Sequence, residues 1–259
     1  MPEYICIGVP YWLGESKDGR TEVHSVKNSG IADELNAEWV DIQPDFDKYD
    51  NPVIAVNQAI AETIKAHDGK TPVVFASDCT SCLGMVKGLE SHQPAVLWYD
   101  SHGDFNTPET SPSGFLGGMP LAAMVGRGNE DLMNGMQLST LAESDIVVTD
   151  VRNLDPEEGE MLRGSDIAIY EKVDDLLTAE LPDKPLYIHF DTDVVDIEDM
   201  PAMNYPEPDG PSLDETAKTL KHVVENNNTV GILFSLWNDT LDGADKALAG
   251  TLELVRTLK

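Results

Sequence analysis

The chain has 259 residues, a length within reach of one α/β domain. Asp plus Glu number 47 against 17 Lys plus Arg, giving a net charge of −30. That balance excludes a nucleic-acid binder working by phosphate neutralisation and disfavours anionic membranes. It would steer cations inward, and solubility in a saline or acidic habitat accounts for the same charge. Three cysteines, an odd count, argue against a disulfide framework, and no run of 18 apolar residues suggests a transmembrane helix. Met1-Pro-Glu-Tyr lacks a basic n-region, so no signal peptide is expected and the cytoplasm is the expected compartment.

In chain order, Tyr4–Val9 reads as a strand and 10–30 as a polar, glycine-containing loop over the strand ends. Residues 52–67 carry Val53, Val56, Ile60 and Ile64 at helical spacing and stop at Asp68-Gly69. Strands are expected at 72–76, 94–99, 145–149, 167–170, 186–190 and 229–236. Helices are expected at 83–89, 119–125, 156–162, 173–181, 213–224 and 243–258. Strands alternating with helices specify a parallel sheet covered on both faces. The expected fold is a single three-layer α/β/α domain over 1–259 with about eight strands.

Two acidic clusters follow apolar strands. Asp100, His102 and Asp104 close the run 95–105, and Asp191 and Asp193 follow Leu186-Tyr-Ile-His-Phe. Residues two apart on a strand share a face, so Asp191 can converge with Asp193, and His102 with Asp100 or Asp104. The carboxyl ends of parallel strands are where open α/β sheets hold ligands. Four carboxylates and an imidazole suit a pair of divalent cations, Mn²⁺ first and Zn²⁺, Co²⁺ or Fe²⁺ as competitors. A lone Asp-x-Asp is equally an ordinary turn or N-cap.

Three separated motifs, in this order, resemble the ureohydrolase family of arginases, agmatinases and formimidoylglutamases. They are Asp100-Ser-His-Gly-Asp104, the substrate-loop-like Asn106-Thr-Pro with Ser113-Gly-Phe-Leu-Gly-Gly-Met, and Asp191-Thr-Asp193 followed by Pro206-Glu-Pro-Asp-Gly210. The resemblance implies an arginase-like fold and a two-manganese site. Asp100 and Asp191 would bridge, Asp104 would complete one metal, and His102 and Asp193 the other. Asp104 is also a catalytic candidate. The implied reaction is hydrolysis of a linear C–N bond in a guanidino, amidino or modified-arginine substrate, and the implied assembly a homo-oligomer, trimer or hexamer.

Departures from the family pattern lie at defined positions. Cys79, in Ser77-Asp-Cys-Thr-Ser, stands where the family has a metal-binding histidine. As a soft donor it would shift preference toward Zn²⁺ or Fe²⁺; it could also be a redox partner of Cys82 or an inert buried thiol. Gly117 replaces a proton-shuttling histidine, and Phe115 an asparagine that contacts the substrate, while the serine partner survives as Ser113. Leu236 replaces a glutamate that grips the guanidinium, a loss worth roughly 2–5 kcal/mol to a cationic substrate. Asp155 and Glu158 match acidic residues near the substrate's α-amino group. His189 faces the same side as Asp191, as a substitute proton carrier or a satisfied core histidine. Trp237 is a stacking surface for the substrate or core. The alternative to an enzyme is an idle family member that keeps metal for structure or regulation and binds a partner.

Overall fold

In a computed structural model, residues 3–17 and 20–259 are described. Met1 and Pro2, and Asp18 and Gly19 of the expected 10–30 loop, lie outside them. The strands are β1 (Tyr4–Val9), β2 (Glu38–Asp41), β3 (Thr71–Ala76), β4 (Ala95–Tyr99), β5 (Ile146–Thr149), β6 (Ala168–Tyr170), β7 (Leu186–Asp191) and β8 (Thr229–Ser235). The helices are α1 (Glu22–Asn28), α2 (Ile31–Glu34), α3 (Pro52–Ala66), α4 (Cys82–Gly88), α5 (Pro120–Met124), α6 (Glu130–Met136), α7 (Pro156–Arg163), α8 (Leu213–Asn226) and α9 (Ala244–Arg256).

All eight strands form one parallel sheet in the order β2-β1-β3-β8-β7-β4-β5-β6. The alternation of a strand sorts its residues between two apolar layers. Ala95, Leu97 and Tyr99 of β4 face the layer of α1, α8 and α9, whereas Val96 and Trp98 face that of α3, α4 and α5. The inner strands are buried on both faces, which is why they read as continuous apolar runs. This is the expected α/β/α domain.

β3 and β4 are consecutive in sequence but flank β8 and β7 in the sheet. The strand order reverses there, and such a switch point leaves a crevice at the carboxyl ends. Cys79, Asp100, Asp191 and Leu236 all follow or end these four strands.

Some expected elements differ. The 10–30 loop contains α1, whose only buried apolar residues, Val23 and Val26, make a stripe too short to read. β2 is a four-residue, half-buried edge strand without an apolar run. The expected helix at 173–181 is a 3-10 turn, Val173–Leu177, whose buried Val173 and Leu176 fit three residues per turn. No helix among the described residues is long and apolar enough to cross a membrane.

Candidate metal centre

Each donor is held by its own backbone. After β3, Asp78 caps the 3-10 turn Cys79–Ser81 by accepting from the Thr80 N–H at 2.8 Å. The other Asp78 oxygen accepts from the Leu13 N–H at 2.7 Å, which ties the N-terminal loop to the same turn. The Cys79 thiol donates to Asp191 Oδ2 at 2.9 Å, and its Sγ lies 3.3 Å from the Ser235 hydroxyl. At the end of β7, Asp191 Oδ1 accepts from the Asp193 N–H at 2.9 Å, a local turn that aims both carboxylates together. At the end of β4, the Trp98 indole N–H donates to Asp100 Oδ2 at 3.1 Å.

Two donor sets result. One potential ligand atom from each of Cys79, Asp100, His189 and Asp191 lies within 4.8 Å of the others, and the same holds for Asp100, His102 and Asp193. Asp100 is common to both, whereas Asp191, expected to bridge as well, falls in the first set alone. Asp104 belongs to neither set but lines the same cavity. Its left-handed backbone (φ 46°) accompanies a sharp turn after His102, and its carbonyl accepts from Leu121 and Ala122. The preceding Gly103 is required by crowding, since a Cβ there would meet Glu158 Oε1 at 2.7 Å.

The buried carboxylates crowd one another. Burial, then the Asp193 charge, pushes the Asp100 carboxyl up to about 7. Burial and neighbouring carboxylates drive Asp104 and Asp191 well above the usual range. Burial followed by the same carboxylates raises the Cys79 thiol. Burial opposes charge on His102, but Asp100 and Asp193 outweigh it and hold that imidazole up to about 12. Burial would raise Asp193 too, yet His102 and Ser101 keep it below the usual range. Asp104 Oδ2 and a ring nitrogen of His189, Nε2, are buried without a hydrogen-bond partner among the described residues. Orphaned acceptors among crowded carboxylates fit bound divalent cations.

All of these donors except His189 line a cavity of about 310 Å³. Asn106, Ser113, Phe115, Asp155, Glu158 and Leu236 line it. Asn106 donates to Asp155 at 3.0 Å. Both Glu158 oxygens are engaged by backbone, from Phe105 N–H at 2.9 Å and Asp155 N–H at 3.1 Å, so this acid clamps the metal loop to α7. Trp237 is 1 % exposed, belongs to the core beside α1 and α9, and is absent from the cavity wall. His189 is fully buried behind the donors and also absent from that wall.

A family model for the arginase family matches residues 15–254. The chain belongs to the arginase family. An arginase of Bacillus subtilis (strain 168) is 29% identical over 224 residues, spanning 80% of this chain and 76% of that protein. An N(omega)-hydroxy-L-arginine amidinohydrolase of Streptomyces lavendulae is 30% identical over 210 residues, 78% of this chain and 74% of that protein. The crystal structure of the Bacillus subtilis arginase superposes with a TM-score of 0.89 at 27% identity, covering 100% of this chain and 98% of that one.

Within that family frame, the cavity wall has a composition that motif reading missed. Trp12 and Tyr205 line it together with Phe115. The Trp12–Phe115 ring centroids are 6.1 Å apart, Phe115–Tyr205 5.3 Å, and the Tyr205 ring meets His102 edge-on at 6.4 Å. Met203 and Leu236 extend this apolar side. An aromatic in a glycine-containing loop, and another directly before Pro206-Glu-Pro, were the available signals. Arg152 holds the segment after Tyr205 by donating to the carbonyls of Glu207 and Pro208, each at 3.0 Å.

Proposed function

We propose that this arginase-family chain is a metal-dependent amidinohydrolase that cleaves a linear C–N bond in a guanidino, amidino or modified-arginine substrate. The observation that carries the reading is the convergence of Cys79, Asp100, His102, Asp191 and Asp193 as two donor sets on the floor of one cavity. Two divalent cations held there, manganese or one of the softer ions that Cys79 favours, would lower the pKa of water toward neutrality and polarise a planar carbon.

The chain's own residues divide the remaining work. Asp155 and Asn106, linked to each other, present polar groups at one side for the substrate's amino end. Trp12, Phe115 and Tyr205 add neighbouring aromatic rings to the lining. Leu236 offers a guanidinium no carboxylate, so cation–π and apolar contact must replace it. That wall fits an N-substituted guanidine or an uncharged amide-like group better than free arginine. The Streptomyces relative, named for a hydroxylated arginine, supports a modified substrate. A trimer or hexamer of such chains is the assembly we propose.

Metal analysis together with urea release from arginine, agmatine, guanidinobutyrate, formimidoylglutamate and hydroxyarginine tests the reading. Turnover of at least one compound, abolished by chelation, supports it. Metal uptake with no turnover of any guanidino or amidino compound would leave the idle, partner-binding alternative.

A further inference from the structure

We infer that His189 is a metal ligand, so that the imidazole absent at position 79 is supplied from β7 and the inner cation site is made of Cys79, His189, Asp100 and Asp191. The inference rests on the metal-hydrolase reading and adds to it a ligand and a preference.

The position of His189 suits a ligand better than the proton carrier that the sequence offered. The ring is fully buried and does not reach the cavity, so it meets neither substrate nor solvent. It is instead clamped as ligands are. Its face stacks on the Trp98 indole at 3.5 Å between centroids and 6° between planes. Its Nδ1 lies 3.4 Å from the Tyr187 hydroxyl, two residues back on the same strand, while Nε2 has no hydrogen-bond partner among the described residues. A metal-bound histidine engages one nitrogen with an orienting group and leaves the other for the metal. With Nδ1 beside the Tyr187 hydroxyl, Nε2 is the nitrogen left for a cation, and a ring nitrogen of His189 lies within 4.8 Å of ligand atoms of Cys79, Asp100 and Asp191.

Trp98 orients two ligands at once, carrying His189 on its ring face and Asp100 on its indole N–H. A core histidine without a metal would leave Nε2 buried and unpaired. One sulfur, one nitrogen and two carboxylate oxygens form a donor set suited to Zn²⁺, Co²⁺ or Fe²⁺ over the all-oxygen-loving Mn²⁺.

The test is ¹⁵N-histidine NMR of the full chain during titration with Zn²⁺, with Co²⁺ absorption as the second readout. Two of the six imidazoles, those of His102 and His189, should move to metal-bound shifts, and the Co²⁺ form should show a thiolate charge-transfer band that Cys79→Ser removes. His189→Ala should keep that band, change the d–d intensities and weaken Zn²⁺ binding about tenfold or more. Metal binding with only the His102 signal shifted would overturn the inference and leave the hydrolase reading standing. Binding of neither Zn²⁺, Co²⁺ nor Mn²⁺ would overturn both.

Discussion

The Phe115 ring occupies the space that any side chain at position 117 would need: a Cβ on Gly117 would lie 2.3 Å from Phe115 Cε1. The two departures from the family loop are therefore one structural change. Phe115 folds back over Gly117, and its outer face joins Trp12 and Tyr205.

Restoring the family histidine alone should accordingly fail. Gly117→His must displace the Phe115 ring, and overpacking of this kind costs about 1–3 kcal/mol. Adding Phe115→Ala should recover most of the loss, with a coupling of about 0.5 kcal/mol or more in a thermal-denaturation double-mutant cycle. Strictly additive effects would show that the ring has room to move.

Position 79 should control metal choice. Cys79→His should raise Mn²⁺ affinity by calorimetry, because imidazole replaces a thiol whose ionisation burial and three carboxylates oppose. Cys79→Ala should weaken the inner site selectively. Cys82→Ala should alter stability but not metal binding, since Cys82 is a fully buried core residue. Equal metal binding in all three variants would make Cys79 a packing residue.

Leu236 should make free arginine a poor substrate. With leucine instead of a carboxylate at position 236, kcat for arginine is expected well below ~10 s⁻¹, an ordinary enzyme rate. Leu236→Glu should improve arginine or agmatine turnover. Arginine hydrolysis at ordinary rates by the unaltered chain would show that another group grips the guanidinium.

Acidity should stabilise the metal-free protein. In the folded chain burial raises Asp100 to about 7 and Asp150 to about 6, against an unfolded value of about 3.9. A folded value above the unfolded one means that the native state binds the extra protons. The stability so gained is complete below the unfolded value and is lost as pH climbs through 6 and 7. Chelator-treated protein should therefore melt at higher temperature near about pH 5.5 than near about pH 8. Metal should raise the melting temperature most at the higher pH and release protons on binding. A metal-free protein that gains stability from the lower to the higher pH would contradict the buried carboxylate cluster.

The sheet was readable because its inner strands are buried on both faces, so Ala95–Tyr99 and Leu186–Asp191 appear as unbroken apolar runs. Cys79, Asp100, His102, Asp191 and Asp193 were readable because each lies at the end of such a run or within three residues after it. β2 and α1 were not, because edge strands and helices with two buried apolar residues carry almost no periodicity. His189 shares its face with Asp191, which strand alternation gave. Its role depends on Trp98 and Tyr187 closing around the ring, a matter of sheet register. Trp12 and Tyr205 are more than 190 residues apart in the chain, and only the fold brings them to one wall.

Asp78 joins the loop that carries Trp12 to the turn that carries Cys79, one carboxylate oxygen for each. Two hydrogen bonds thereby link the turn of the inner site to the loop of the outer wall. An optical gauge of loading follows: titration with Zn²⁺ should alter indole emission, and Trp12→Phe or Asp78→Ala should remove the part carried by the loop while Trp98, in contact with Asp100 and His189, keeps its own response.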